Sequence, residues 1–152
     1  GTGGSGETKR VPSKIFIEVM KNTLKKRKCK FFIATGNAKE EIEILDQITK
    51  SDLKEFCIPL NNLNISEIIP IIKNCNVAIC NDSSFSHLSA ALNIPTIVLM
   101  TDTPLVYGSY SSHMHPILPE GKSTVSHDTL GKDKINPSEI QKKLDEILLG
   151  VS

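Results

Sequence analysis

Residues 81–88 place an acid, serines and a histidine at one turn of the chain, in the order Asn-Asp-Ser-Ser-Phe-Ser-His-Leu. The preceding apolar run, residues 77–80, predicts a short buried strand, and residues 84–92 predict a helix. A helix that starts in such a turn has unpaired backbone N–H groups, which bind anions. The turn also follows the carboxyl end of a strand, where open α/β sheets bind ligands. This octapeptide therefore predicts an anion-binding site at the edge of an α/β sheet.

Each polar side chain of this turn has a functional and a structural interpretation. Asp82 either accepts hydrogen bonds from the hydroxyl groups of a ligand or caps the helix that follows, a role worth about 1 kcal/mol. Ser83 and Ser84 offer N–H and hydroxyl donors to an anion. His87 supports a bound anion as imidazolium, or ties the loop to the sheet as neutral imidazole. We predict that all four contact the ligand.

A second candidate phosphate site lies at the start of the chain, where residues 3–6 read Gly-Gly-Ser-Gly. Backbone N–H groups at Gly4 and Ser5 approach a phosphate closely because glycine has no Cβ. Lys9 would place a positive charge on the same phosphate. The alternatives are a flexible linker for the glycine run and a solvated lysine for Lys9.

Alternating apolar runs and amphipathic segments predict an α/β fold, a doubly wound parallel sheet with helices on both faces. We expect the whole chain, residues 1–152, to form a single domain, with residues 101–135 as irregular loops over the site. The strands predicted for one parallel sheet are residues 31–34, 56–58, 77–80 and 96–100.

The composition of the chain argues against several classes of function. Eighteen basic and 17 acidic residues give a net charge of +1, which gives no indication of a basic nucleic-acid-binding surface. No apolar run approaches the ~20 residues of a membrane span. The histidines at 113, 115 and 127 lack a recognisable third metal ligand, so neither a metal nor a cofactor is predicted. The four cysteines form no Cys-x-x-Cys pair and indicate a reduced, cytoplasmic protein.

The motifs resemble those of family-9 glycosyltransferases, the ADP-heptose:lipopolysaccharide heptosyltransferases. The resemblance rests on Lys-Arg-Val-Pro at residues 9–12, and on residues 81–96, which match Asp-Ser/Thr-Gly-x-x-His-Leu-x-Ala-Ala and the Pro-containing turn behind it. Ser84 stands where the family has glycine, Val11 replaces a frequent aromatic, and residues 101–104 match the next family loop loosely. These departures leave the sugar donor open.

The resemblance implies the C-terminal half of a GT-B enzyme, in which two Rossmann-like domains face a cleft. This half would bind ADP-heptose or a similar nucleotide-diphosphate sugar, with Lys9 on the diphosphate, Glu40 on the ribose and Leu63 at the base. The catalytic carboxylate and the lipid-linked saccharide acceptor would belong to an N-terminal domain outside these 152 residues. The intact enzyme would be cytoplasmic, with peripheral contact to the inner face of the inner membrane.

Two other function classes fit the same motifs. A sugar-nucleotide epimerase or hydrolase of GT-B-like fold would need its own catalytic acid and base within the chain. A degenerate, non-catalytic binding module would be consistent with the loss of glycine at Ser84.

Overall fold

The computed structural model describes residues 1–150, so the last two residues of the predicted 1–152 domain lie outside the described part. Helices and strands alternate along most of the chain. The helices are α1 (Ser13–Lys26), α2 (Lys39–Thr49), α3 (Ile65–Lys73), α4 (Ser84–Ala91) and α5 (Pro137–Gly150). The strands are β1 (Phe31–Ile33), β2 (Cys57–Pro59), β3 (Ala78–Asn81), β4 (Thr96–Leu99) and β5 (Met114–Ile117). The predicted α/β class is confirmed.

The strands pair in parallel, as predicted, but in two hydrogen-bonded sets instead of one sheet. β1 pairs with β2, and β3, β4 and β5 follow each other in that order. The first two residues of the chain join the sets at one end. The Gly1 nitrogen donates to the Ile79 carbonyl, the Asn81 N–H donates to the Gly1 carbonyl, and the Thr2 N–H donates to the Ala34 carbonyl. Behind this bridge, a mostly apolar cavity of about 430 Å³ separates β1 from β3.

The prediction that residues 101–135 are wholly irregular is wrong, because β5 lies within them. Its sequence, Met-His-Pro-Ile, contains a proline that cannot donate to a ladder and that weakens the strand pattern. In the structure β5 is an edge strand that pairs with β4 alone, and Pro116 lies opposite Val98. An edge position tolerates a missing donor, so the strand forms despite the proline.

Helices cover both faces of the larger sheet, and β4 shows why. All of its side chains are buried. Ile97 and Leu99 pack into a core with α1, α2 and α5, whereas Val98 packs on the opposite face against Ala90 of α4. A continuous apolar run is the pattern of a strand buried on both faces, and the doubly wound arrangement follows from it. Among the described helices, none is both long and apolar enough to cross a membrane.

A candidate nucleotide-sugar site

The predicted site residues lie on loops and on the first turns of helices at one edge of the molecule, because parallel strands bring their carboxyl ends together. The glycine-rich loop reaches this edge through Asn81, the last residue of β3, which is fully buried. Its side-chain amide donates to the carbonyls of Thr2 and Gly3 at 3.0 and 3.2 Å, and its oxygen accepts from the Val11 N–H at 3.4 Å. One side chain therefore connects β3, the glycine loop and the approach to α1.

Glu41 holds the glycine loop from the other side. Its carboxylate accepts from the Gly4 N–H at 2.9 Å and from the Ala38 N–H at 3.2 Å. A Cβ on Gly3 would lie 2.6 Å from the same carboxylate, so glycine permits this close approach. The Gly4 N–H, which was predicted to bind a phosphate, thus donates to Glu41 instead. Ser5 is exposed. Ligand contact by Gly4 and Ser5 stays a prediction.

Sequence reasoning chose Glu40 and missed Glu41. Glu40 is exposed in the first turn of α2, free to face a ligand, and its predicted contact with a ribose stays a prediction. The sequence signal for Glu41 is its position three residues after Ala38, the N-cap residue of α2. An acid at that position reaches back to backbone N–H groups at the helix start. That signal identifies a helix start but not the partner at Gly4, which is 37 residues away.

Lys9 ends a short 3-10 helix, Glu7–Lys9, at the same edge. The Thr101 hydroxyl, on the loop after β4, donates to the Thr8 carbonyl at 2.8 Å and holds this turn in place. Within residues 1–150, the Lys9 ammonium has no hydrogen-bond or ion-pair partner, whereas neighbouring Arg10 donates to the Gly4 carbonyl at 3.0 Å. Lys9 therefore offers an uncommitted positive charge beside the glycine loop.

Asp82 is buried at 5% exposure and faces two partners. The Thr103 hydroxyl donates to its Oδ2 at 2.5 Å, and its Oδ1 lies 3.6 Å from Nε2 of His87. The alternative interpretation of Asp82 as the helix N-cap is wrong, because Ser83 is the N-cap residue of α4. The Ser86 hydroxyl closes that helix start by bonding the N–H and the carbonyl of Ser83. Asp82 therefore has no capping role, and its contact with a ligand stays a prediction.

Ser83 and Ser84 differ in their exposure and in their hydrogen bonding. The Ser83 hydroxyl oxygen is buried and has no hydrogen-bond partner among the described residues. A buried polar atom without a partner is a candidate ligand contact. Ser84 is exposed and is the first residue of α4, with a backbone φ outside the left-handed region. Serine in place of the family glycine therefore leaves this helix start intact.

His87 lies one turn into α4 and stacks on Tyr110, which sequence reasoning missed. The ring centroids are 5.6 Å apart and the planes meet at 12°. Nδ1 of His87 lies 2.6 Å from the Tyr110 hydroxyl. Tyr110 follows the 3-10 helix Leu105–Gly108 in the loop region after β4, and no local pattern links it to a histidine 23 residues earlier.

The remaining candidates occupy the loops around this edge or lie away from it. Leu63 follows β2 in a turn closed by its N–H to the Leu60 carbonyl at 3.0 Å, and its side chain is 36% exposed. Its predicted contact with a base stays a prediction. His113 precedes β5 and so lies at the amino edge of the sheet, and burial lowers the pKa of His115 on β5. Within residues 1–150 no three acids, histidines or cysteines cluster as a metal site.

Solved structures share this fold. The E. coli heptosyltransferase WaaC with ADP has a TM-score of 0.77 at 16% identity, over 95% of this chain and 42% of that one. A family-9 glycosyl transferase from Veillonella parvula has a TM-score of 0.79 at 17% identity, over 99% and 45% of the two chains. E. coli ADP-heptose lps heptosyltransferase II has a TM-score of 0.74 at 20% identity, over 95% and 44%. These likenesses confirm the predicted Rossmann-like GT-B fold.

Two curated relatives match by sequence. Lipooligosaccharide heptosyltransferase 2 of Haemophilus influenzae is 37% identical over 75 residues, which are 47% of this chain and 22% of that protein. Lipopolysaccharide heptosyltransferase 1 of Campylobacter coli is 27% identical over 148 residues, 92% of this chain and 42% of that protein. The chain thus spans less than half the length of these relatives. The profile of glycosyltransferase family 9 (heptosyltransferase) matches residues 2–128, and the chain therefore belongs to this family.

Proposed function

We propose that this chain binds the nucleotide-diphosphate sugar of a heptosyltransferase, ADP-heptose or a close analogue, at the carboxyl edge of its strands. The observation that carries the proposal is the Lys9 ammonium, which has no partner within residues 1–150. It lies at the edge that also holds Asp82, His87 and the Ser83 hydroxyl, which has no partner in the same range. A cation and hydroxyl or imidazole donors suit a diphosphate, and a buried carboxylate suits sugar hydroxyls.

The names of the relatives support the ligand and the reaction class. One solved neighbour holds ADP and another holds ADP-2-deoxy-2-fluoro heptose, and both curated relatives are heptosyltransferases. On that support we propose that the intact enzyme transfers heptose, or a related sugar, to a lipopolysaccharide-type acceptor. The lipid-linked acceptor is the basis for proposing a cytoplasmic enzyme with peripheral contact to the inner face of the inner membrane.

The proposed chemistry uses these side chains to stabilise the leaving group. An acceptor hydroxyl attacks the anomeric carbon with inversion, and the bond from that carbon to the phosphate oxygen breaks. The electron pair stays on the diphosphate, where Lys9 and the donors of Ser83 and His87 offset the developing negative charge. The hydroxyl proton passes to a carboxylate that we place on the acceptor-binding domain. The proposal requires neither a metal nor a cofactor.

Nucleotide titration tests the donor proposal. We expect the chain to bind ADP more tightly than UDP or GDP in isothermal calorimetry. Lys9→Ala should weaken ADP binding tenfold or more, because charged hydrogen bonds are worth about 1.5–3 kcal/mol. Lys25→Ala is the matched control, since it removes an exposed lysine from the far end of α1.

Thermal melting separates binding from folding in this experiment. Neither lysine variant should melt appreciably lower than the parent without nucleotide, because neither ammonium has a hydrogen-bond or ion-pair partner within residues 1–150, and the loss of an unpaired charge costs little stability. Equal or absent binding of all three nucleotides would contradict the donor proposal. Unchanged ADP affinity in Lys9→Ala would contradict the phosphate role of Lys9 alone.

A further inference from the structure

Tyr110 makes a two-point contact with His87 that the donor-binding proposal does not use. Its ring lies parallel to the imidazole within 12°, and its hydroxyl lies 2.6 Å from Nδ1. Tyr110 is 57% exposed, so burial of its ring in the core does not explain its position. The contact fixes both the plane of the imidazole and the direction of its two nitrogens.

The other imidazole nitrogen faces Asp82. Nε2 lies 3.6 Å from Oδ1 of this buried carboxylate, whose Oδ2 is already bonded to Thr103. A carboxylate repels a nitrogen lone pair and attracts an N–H, so the proton of the neutral ring resides on Nε2. Nδ1 is then an acceptor, and the Tyr110 hydroxyl is the donor to it.

We propose that Tyr110 is a positioning residue that holds His87 with its Nε2–H as a fixed donor at the ligand-binding edge. The 3.6 Å separation from Asp82 exceeds hydrogen-bond length, so this N–H remains available to an oxygen of the ligand. His87 then donates to the diphosphate sugar even when the ring is neutral. The identity of that ligand rests on the proposed function, whereas the tyrosine–histidine contact does not.

Tyr107 provides a matched control on the same segment. It lies within the 3-10 helix Leu105–Gly108 and is 44% exposed. Its hydroxyl has no hydrogen bond to any residue in the described range. Tyr107→Phe therefore removes the same atom as Tyr110→Phe without touching His87. Both changes keep the aromatic ring, so both variants should fold.

Nitrogen-15 NMR of the histidine side chains tests the proposal on the ligand-free chain at a pH where His87 is neutral. In the parent, His87 should show a protonated Nε2 and an Nδ1 that accepts a hydrogen bond. Tyr110→Phe should shift both ring nitrogens toward the averaged signals of a ring that exchanges tautomers and orientations, while Tyr107→Phe leaves them unchanged. A His87 spectrum identical in the parent and in Tyr110→Phe, or one with the proton on Nδ1, overturns the proposal.

ADP affinity provides the second readout. The loss of one positioning hydrogen bond should weaken ADP binding about two- to tenfold in Tyr110→Phe and not in Tyr107→Phe. A parent that binds ADP and a Tyr110→Phe variant with equal affinity would overturn the ligand-facing role of Nε2–H. A parent that binds no nucleotide counts against the proposed function, while the NMR result still decides the contact between Tyr110 and His87.

Discussion

Asn81→Asp should destabilise the protein strongly even though the two side chains have nearly the same size, because Asn81 supplies two buried hydrogen-bond donors that aspartate lacks. The side-chain amide donates to the Thr2 and Gly3 carbonyls from a position with no solvent exposure. Each buried group that loses its partner costs about 1–3 kcal/mol. We therefore expect a loss of about 2–5 kcal/mol in the free energy of unfolding, a large part of the 5–15 kcal/mol typical of a domain.

The pH dependence of this variant gives a sharper signature than its stability at neutral pH. A buried carboxylate that faces two carbonyl oxygens is disfavoured in its charged form, so the pKa of the new aspartate rises on folding. The folded state then binds more protons than the unfolded state, and the variant gains stability relative to the parent as the pH falls through that pKa. The protonated carboxyl also regains one donor for the loop.

Urea unfolding measures the effect, with Asn62→Asp as the control because Asn62 is exposed. The control should stay within about 0.5 kcal/mol of the parent. The deficit of Asn81→Asp relative to Asn62→Asp should be largest at neutral pH and should narrow in acid. A deficit below about 1 kcal/mol, or one that widens in acid, would refute the assignment of Asn81 as the anchor of the glycine loop.

Two further changes test other parts of the fold. Glu41→Ala should lower the free energy of unfolding by about 1–3 kcal/mol in urea melts, because it removes the acceptor for the Gly4 N–H. Glu40→Ala, which changes an exposed neighbour, should alter the free energy of unfolding by less than about 0.5 kcal/mol. Equal effects of the two substitutions would contradict the role of Glu41 in holding the loop. The Lys26 ammonium lies 2.8 Å from the Asp145 carboxylate and lowers its pKa. The ion pair between them therefore stabilises the fold at pH values above the ordinary carboxyl pKa, and this stabilisation is lost as the pH falls through the lowered pKa. Asp145→Asn should therefore be modestly less stable than the parent at neutral pH, with the difference vanishing in strong acid, and a difference that grows on acidification would refute the sign of this linkage.

The amino-acid sequence alone determined the α/β class and the position of the central turn. The strand at β3, the helix at α4 and the strand at β4 follow from apolar runs and periodicity within about 25 residues, since such patterns reflect burial of local segments. Asp82 and His87 are five residues apart, so their proximity is also a local property. The same local reasoning failed for β5, whose proline hides a strand that only its edge position permits.

Tertiary structure decided which side chains complete the site. Thr103 reaches Asp82 across 21 residues, Tyr110 reaches His87 across 23, and Glu41 reaches Gly4 across 37. Asn81 reaches the glycine loop across 78 and 79 residues. These partners meet because parallel strands deliver their carboxyl ends, and the loops that follow, to one edge. Loop side chains carry no periodicity that reports their neighbours, so the sequence located the candidate turn, while only the folded chain shows which residues contact it.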